Sequence, residues 1–321
     1  MMRRPFIALV GSAAALLMLS TSARTQETGR TYRLGLLSMS TRSPEARTWM
    51  LPDLAKYGFV EGRNLILDTR MGSADALPGL AHELAASMPD AVLAVSSVAV
   101  QAIKEATTTV PIVMFGDDPV GQGFAATLAR PGSNVTGVTI QGAELDGKRL
   151  QLLHEALPSA RRMAILALPQ QARNIGEMQR SALALGIEVH AFRVNEPTDY
   201  AAAFASMRKV GAQGLVISAH SKLFQDGAQL AALAVEAGLP TICEWAEMAR
   251  TGCVIGYGPN LREMRRRVAD YIARILQGTP PSALPIEGPT HFELAINLNT
   301  ARALGMDMPQ GLLLRAGEVI E

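Results

Sequence analysis

The chain is poor in residues that mark several large functional classes. It has 2 cysteines in 321 residues, too few for a disulfide-built scaffold or a cysteine-built zinc site. Aromatic residues make up only 5%, which argues against a stacking surface for single-stranded nucleic acid. Charge of one sign is also lacking: 30 Lys+Arg stand against 29 Asp+Glu, a formal net charge of +1. Such a balance leaves no electrostatic footprint for nucleic acid. The histidines at 82, 154, 190, 220 and 291 share no His-x-x-x-His or similar metal-binding spacing. There is no Gly-x-Ser-x-Gly nucleophile elbow and no Gly-x-x-x-x-Gly-Lys-[Ser/Thr] phosphate loop. What is abundant is hydrophobic residues, at 48%. That excludes intrinsic disorder, and the length favours about two domains.

The first residues read as an address. Met1-Met2-Arg3-Arg4 is basic, and Phe6 to Leu19 is apolar and small, broken only by Gly11 and Ser12. Thr21-Ser22-Ala23 or Ala23-Arg24-Thr25 follows as a cleavage site. This is the layout of a cleaved secretory signal peptide, assigned to residues 1–25. The apolar run is short for a hydrocarbon core about 30 Å thick, which disfavours the alternative of a membrane anchor. Arg3-Arg4-Pro5-Phe6-Ile7 fits twin-arginine export. Export to the periplasm would let Cys243 and Cys253 pair; two buried free thiols are the other outcome.

From residue 32 short runs rich in Val, Ile and Leu alternate with helix-period segments. Strands are expected at Arg33–Leu37, Asn64–Thr69, Ala91–Val95, Ile112–Phe115 and Val135–Thr139, with helices near Arg42–Lys56, Leu77–Ser87, Val98–Ala106 and Gly123–Ala129. The rhythm repeats, with a helix at Glu144–Ala156 and strands at Met163–Ala167, Glu188–Arg193, Gly214–Ser218, Thr241–Glu244 and Val254–Tyr257. Helices near Ile175–Leu185, Thr198–Val210, Leu223–Ala237 and Trp245–Arg250 separate these. Strands apolar on both faces between helices specify parallel α/β sheets. Leu261–Leu276 reads as a helix with an arginine-rich face, followed by a Pro/Gly-rich linker and a strand at Phe292–Leu298. A tail that leaves one half and returns to the other would make a multi-strand hinge.

Several ordered motifs resemble one family. They are Tyr57-Gly-Phe-Val-Glu-Gly-Arg-Asn64, Val110-Pro-Ile-Val-Met-Phe-Gly-Asp-Asp-Pro-Val-Gly121, Leu128-Ala-Arg-Pro-Gly-Ser-Asn-Val-Thr-Gly137 and Gly147-Lys-Arg-Leu-Gln-Leu-Leu-His154. Gly256-Tyr-Gly-Pro259, Phe292-Glu-Leu-Ala-Ile-Asn-Leu298 and Ala316-Gly-Glu-Val-Ile-Glu321 complete the set. From about residue 31 to its end the chain resembles the ABC transporter substrate-binding proteins of the tryptophan/tyrosine-importer type. The resemblance implies a type I periplasmic-binding-protein fold: α/β, with two doubly wound parallel-sheet lobes joined by a three-strand hinge. Residues 31–140 plus 259–286 would form lobe one and 141–258 plus 287–321 lobe two. It further implies an amino acid-like solute held in the interlobe cleft, delivery to an ABC permease in the inner membrane, a monomer, no cofactor and no catalysis. A periplasmic sensory module on a membrane receptor is the alternative within the same fold.

Ligands of open α/β sheets sit beyond the carboxyl ends of the strands, which selects the candidate residues. In lobe one these are Ser38 and Ser40 after the first strand, and Ser96 and Ser97 at a helix start, where N–H groups and the dipole favour a carboxylate. Serine there is also an ordinary N-cap. The family usually places a proline after this pair; here Val98 follows. Asp117 and Asp118 could hold an ammonium, or Asp118 could cap a helix with Pro119 at its first position. In lobe two the candidates are Gln170, Ser218, His220, Glu244 and Trp245. Trp245 offers a wall for an apolar or aromatic side chain, or simply packs in the core, and Glu244 could pair with an ammonium. The family commonly has Pro-Phe-Arg-Glu-Phe where this chain has Glu244-Trp-Ala-Glu-Met248.

One motif points elsewhere. Gly121-Gln-Gly-Phe-Ala-Ala126, with Glu144 further on, fits the dinucleotide-binding fingerprint of an exported oxidoreductase. It follows the fourth strand rather than the first, and Asp117-Asp118-Pro119 would set two carboxylates beside a pyrophosphate.

Overall fold

The computed structural model describes residues 29–39 and 45–321; the expected signal peptide and Ser40 lie outside them. The first half contains β1 (Tyr32–Ser38), α1 (Glu45–Lys56), β2 (Leu65–Met71), α2 (Leu77–Ala86), β3 (Ala91–Val95), α3 (Ser97–Ala106), β4 (Ile112–Gly116) and β5 (Val135–Thr139). The second half contains α4 (Gly142–Ala156), β6 (Arg162–Ala167), α5 (Ala172–Leu185), β7 (Glu188–Arg193), α6 (Tyr200–Lys209), β8 (Leu215–Ile217), α7 (Ser221–Gln225), α8 (Gly227–Glu236), β9 (Thr241–Cys243), α9 (Ala246–Arg250) and β10 (Ile255–Pro259). The tail adds α10 (Leu261–Leu276), β11 (Ile286–Glu287), β12 (Phe292–Asn297), α11 (Leu298–Ala303), α12 (Gln310–Leu313) and β13 (Glu318–Ile320).

The strands form two sheets, and each belongs to one lobe. The first runs β11-β5-β4-β3-β1-β2 and the second β13-β12-β10-β9-β8-β6-β7. Every pairing is parallel except β10 with β12. Both sheets are wound the same way. In lobe one the chain reverses direction between β1 and β3, in lobe two between β6 and β8. Those two positions are the topological switch points at which open α/β sheets leave a crevice.

The central strands read as expected because they are covered on both faces. Ala91, Val92, Leu93 and Ala94 of β3 are fully buried, as are Met163 to Leu166 of β6. Helix α10 has the expected bounds. Asn260 Oδ1 accepts the Glu263 N–H at 2.7 Å, a side-chain N-cap. Met264, Val268, Tyr271 and Ile272 are buried, and the helix packs on α1 and across β3 to β5. The chain passes between lobes at residues 140–141, 259–260 and 288–291, so α10 and β11 return to lobe one after β10 has completed its part of lobe two.

Several expectations fail. No helix forms over 123–129; the segment is a series of turns in which Phe124 N–H meets the Pro119 carbonyl at 2.8 Å. Glycines at 121 and 123 favour such turns over a helix. The dinucleotide reading loses its helix with it. The helix expected over Leu223–Ala237 is broken at Asp226, whose carboxylate accepts the Tyr200 hydroxyl at 2.7 Å. The last strand stops at Asn297, where the side chain turns to cap α11. β11, β13, α11 and α12 form in addition to the expected elements.

Cys243 and Cys253 are joined in a disulfide with Cα atoms 6.4 Å apart, and both are fully buried. The bond closes the short segment that carries Glu244, Trp245 and α9. Closing a loop of this length restricts the unfolded chain by about 3 kcal/mol. A Cys243→Ala/Cys253→Ala double variant is expected to lose about that much stability in urea unfolding under non-reducing conditions. An unchanged midpoint would show that the bridge does not constrain the chain.

Candidate functional site

A cleft of about 500 Å³ opens between the carboxyl ends of the two sheets. Of the expected residues, Ser38, Ser96, Ser97, Asp117 and Asp118 line it from lobe one, and Gln170, His220, Glu244 and Trp245 from lobe two. Ser218 does not. It is buried behind the wall, its hydroxyl donating to Asp146 Oδ2 at 2.7 Å and accepting from Gln171 Nε2 at 3.2 Å. A larger hollow of about 700 Å³ lies beside α10 and the third crossover. There Arg267 is paired with both Glu287 and Asp270, and the hollow meets neither switch point.

On the lobe-one side the serine hydroxyls are engaged in holding the loops. Ser96 Oγ caps α3 by accepting the Ala99 N–H at 3.3 Å. Its backbone stands at φ 89°, ψ 151°, a region almost reserved for glycine, and such strain costs of order 1–3 kcal/mol. Ser97 Oγ donates to the Asp117 carbonyl at 3.0 Å and accepts the Asp117 N–H at 3.1 Å. The two loops at the switch point are thereby tied together. What α3 presents to the cleft is its first-turn N–H groups, which have no carbonyl one turn earlier, and the positive end of its dipole. Asp118 caps a turn instead of the expected helix, its Oδ1 accepting the Gly121 N–H at 3.1 Å.

The lobe-two wall rests on a buried ion pair. Asp146 and Arg149, both on α4, are wholly inaccessible, with Nη1 and Oδ1 2.6 Å apart. Arg149 also donates to the backbone carbonyls of Tyr257 at 2.8 Å, Gly142 at 3.2 Å and Glu244 at 3.2 Å. Asp146 Oδ2 accepts from Ser218 and from Asn174, each at 2.7 Å. The Gly256-Tyr-Gly-Pro259 motif has its explanation here. A Cβ on Gly258 would overlap the Glu244 carbonyl and one on Gly256 the Trp245 carbonyl, so only glycine lets this wall lie against β10.

Burial pushes the Glu244 carboxyl up to about 8; Arg149 opposes the shift, and Asp146 and Asp117 add to it. His220 is pushed down to about 4, first by burial and then by Lys222. Its Nδ1 accepts the Lys222 N–H at 3.1 Å, so the neutral ring carries its proton on Nε2. Trp245 combines both of its readings: it belongs to the core and lines the cleft, with 4% of its surface exposed.

The strand-end rule missed residues that helices deliver. Trp49 of α1 faces the cleft with the Arg265 guanidinium of α10 5.6 Å from its ring centroid. Phe224 and Ser221 come from α7, and Arg173 from the first turn of α5. The alternation of strands and helices could place the switch points, but not which turn of a later helix leans over them.

Two similarly wound α/β lobes, three crossovers and one cleft lined from both sides define a bilobal solute-binding protein. The chain belongs to the family described as ABC transporter substrate binding protein, whose profile matches residues 45–320. Proteins of this family serve importers as their solute-binding component. The chain is 22% identical over 269 residues to the tyrosine-binding protein of Clostridioides difficile (strain R20291), covering 82% of this chain and 77% of that one. It is similar to a conserved domain protein from Vibrio cholerae, with a TM-score of 0.83 and 23% identity over 90% of this chain and 100% of that one. It also resembles an ABC domain from Streptococcus pneumoniae in complex with L-Trp, with a TM-score of 0.80 and 19% identity over the same shares.

Two outcomes follow from the buried charges. Arg149→Met leaves Asp146 without its cation and is expected to cost about 3–5 kcal/mol in chemical denaturation; parent-like stability would mean the pair carries no structure. Glu244 binds its proton more tightly folded than unfolded, where its ordinary value is 4.5. It therefore loses the protein stability as pH rises from about 4.5 to about 8 and has no further effect above. The stability advantage of Glu244→Gln over the parent should grow across that window; a difference independent of pH would show that Glu244 is not held protonated.

Proposed function

We propose that the cleft captures an amino acid or a similar small solute with an apolar or aromatic side chain, in the periplasm, and delivers it to an ABC permease. The observation that carries this reading is the division of labour across the cleft. Lobe one offers the α3 N-terminus for a carboxylate. Lobe two offers the buried Glu244 for an ammonium and Trp245 for a side chain. The relatives named for tyrosine and solved with L-Trp support the same class of ligand.

The protein acts by binding, without making or breaking a bond. Ligand enters between the open lobes, touches both, and shifts the population toward closure by its greater affinity for the closed form. The permease then receives the closed shape. The division into 31–140 plus 259–286 and 141–258 plus 287–321 is supported by sheet membership, except that Pro259 falls in the second sheet and Glu287 in the first. Export rests on the leader read from residues 1–25. No helix among the described residues is long and apolar enough to cross a membrane. Nothing in the fold requires a second copy to complete the cleft, which supports a monomer.

Both tryptophans of the chain line the cleft, so binding should alter intrinsic fluorescence. A thermal-shift screen of the L-amino acids, small acids and sugars is the direct test. A ligand at 100 times its Kd adds about 2.7 kcal/mol, and at least one amino acid should raise the melting temperature and change the emission. Stabilisation by sugars alone would overturn the amino acid reading.

A further inference from the structure

One residue of lobe two reaches an acid of lobe one. The Arg173 guanidinium is paired with Asp118, which follows β4 in lobe one, and with Glu144 Oε1 at 2.7 Å, on α4 of its own lobe. One carboxylate therefore travels with Arg173 when the lobes separate, and the other is left behind. We propose that Arg173 and Asp118 are positioning residues forming a clasp across the cleft mouth, which sets how much of the ligand-free protein is already closed. The inference rests on the cleft being the capture site described above.

Each half of the clasp is prepared. Asp118 stands at φ 47°, in the left-handed region that non-glycine residues enter sparingly. Its carboxylate is fixed by the Gly121 N–H. A Cβ on Gly121 would overlap that carboxylate, which gives the Asp117-Asp118-Pro119-Val120-Gly121 run a geometric purpose. On the other side, Glu144 holds the guanidinium by a 2.7 Å contact, so less side-chain freedom remains to be lost when Asp118 arrives. Asn174, next to Arg173, is bonded to the buried Asp146, which anchors the start of α5. The charges near the guanidinium are Asp118 and Glu144, with Asp117 and, one turn along α5, Glu177 also acting with it.

The pair is partly exposed, at 46% and 25% for the two side chains, so its effect is modest. It is also adjustable. A protein whose competent form is only a fraction of its population binds more weakly by that fraction. Losing an exposed pair should thus weaken ligand binding about two- to five-fold through the closed fraction.

Small-angle X-ray scattering of the ligand-free mature chain reads the clasp directly. In low salt, R173A should have a larger radius of gyration than the parent, and R173K should fall between them. G121A keeps every charge but displaces Asp118, and should resemble R173A. Salt at 0.5 M should expand the parent more than R173A, since screening acts on the clasp (Debye length about 4 Å). Titration with L-tyrosine or L-tryptophan should show the two- to five-fold weakening in R173A. Superimposable scattering of the parent and R173A would overturn the clasp whichever ligand binds. Expansion of R173A with no amino acid bound would uphold the clasp and overturn the ligand reading instead.

Discussion

The structure around the cleft depends on one guanidinium removed from water. Arg149 is completely buried, and desolvating a charge is costly unless it is paired and hydrogen-bonded. The fold meets this demand with a buried carboxylate one helical turn earlier and three backbone carbonyls. Those carbonyls are not arbitrary. Gly142 begins lobe two after the first crossover, Tyr257 lies just before the second, and Glu244 is in the cleft wall. One planar group thus fixes two hinge approaches and a cleft-lining segment relative to each other. Asp146 extends the same network to Ser218 and Asn174, behind the switch point of the second sheet. A hydrophobic replacement could fill the space but could not orient several carbonyls at once.

That network also decides the electrostatics of the wall. Arg149 is spent on Asp146 and on the backbone, so the Glu244 side chain is left in a dry place with two other carboxylates nearby and holds its proton. His220 is likewise neutral. The lobe-two wall is therefore uncharged at Glu244 and His220 until a ligand arrives, its charge lying at Arg173 near the mouth. A cationic group placed beside Glu244 lowers the cost of ionising it, and the charge then appears only when it has a partner. An empty cleft in this state avoids a standing buried anion that would oppose closure.

Much of the fold was legible because burial on both faces leaves a direct trace. Ala91–Val95 and Met163–Ala167 are uninterrupted apolar runs, and α10 announces itself by a capping asparagine, an apolar stripe and an arginine face. The failures occur where local chemistry and tertiary contact compete. The segment 123–129 carries helix-compatible residues, but the turn organised by Asp118 and Pro119 takes its backbone bonds. Asp226 reads as one more polar residue on a helix until Tyr200 is seen to hold it. At the site, strand ends pointed to nine of the cleft-lining residues, since topology places strand ends at the crevice. Ser218 obeyed the same rule and still turned inward, because Asp146 lay below it. Arg149 stood within a quoted motif without a role, and Arg173 looked like any solvated helix charge. Depth and cross-lobe reach are properties of the packed molecule, and one-dimensional spacing carries neither.

A two-lobed capture protein works only if its open and closed forms differ by little free energy. If closure were strongly favoured, the cleft would shut before ligand arrived; if strongly disfavoured, binding free energy would be consumed in closing it. The materials on the two sides of the hinge differ accordingly. Inside each lobe the contacts are costly to break: the buried Arg149–Asp146 pair and disulfide of lobe two, and in lobe one the half-buried Ser97 hydroxyl joining two loops. Across the mouth, Arg173 and Asp118 meet in partial contact with water, where an ion pair is worth little. Rigid lobes with a weak polar seam can move as bodies and keep the site intact in both positions. The separation of strong from weak contacts therefore follows the boundary between lobes, and closure can be tuned at the seam without loosening the walls.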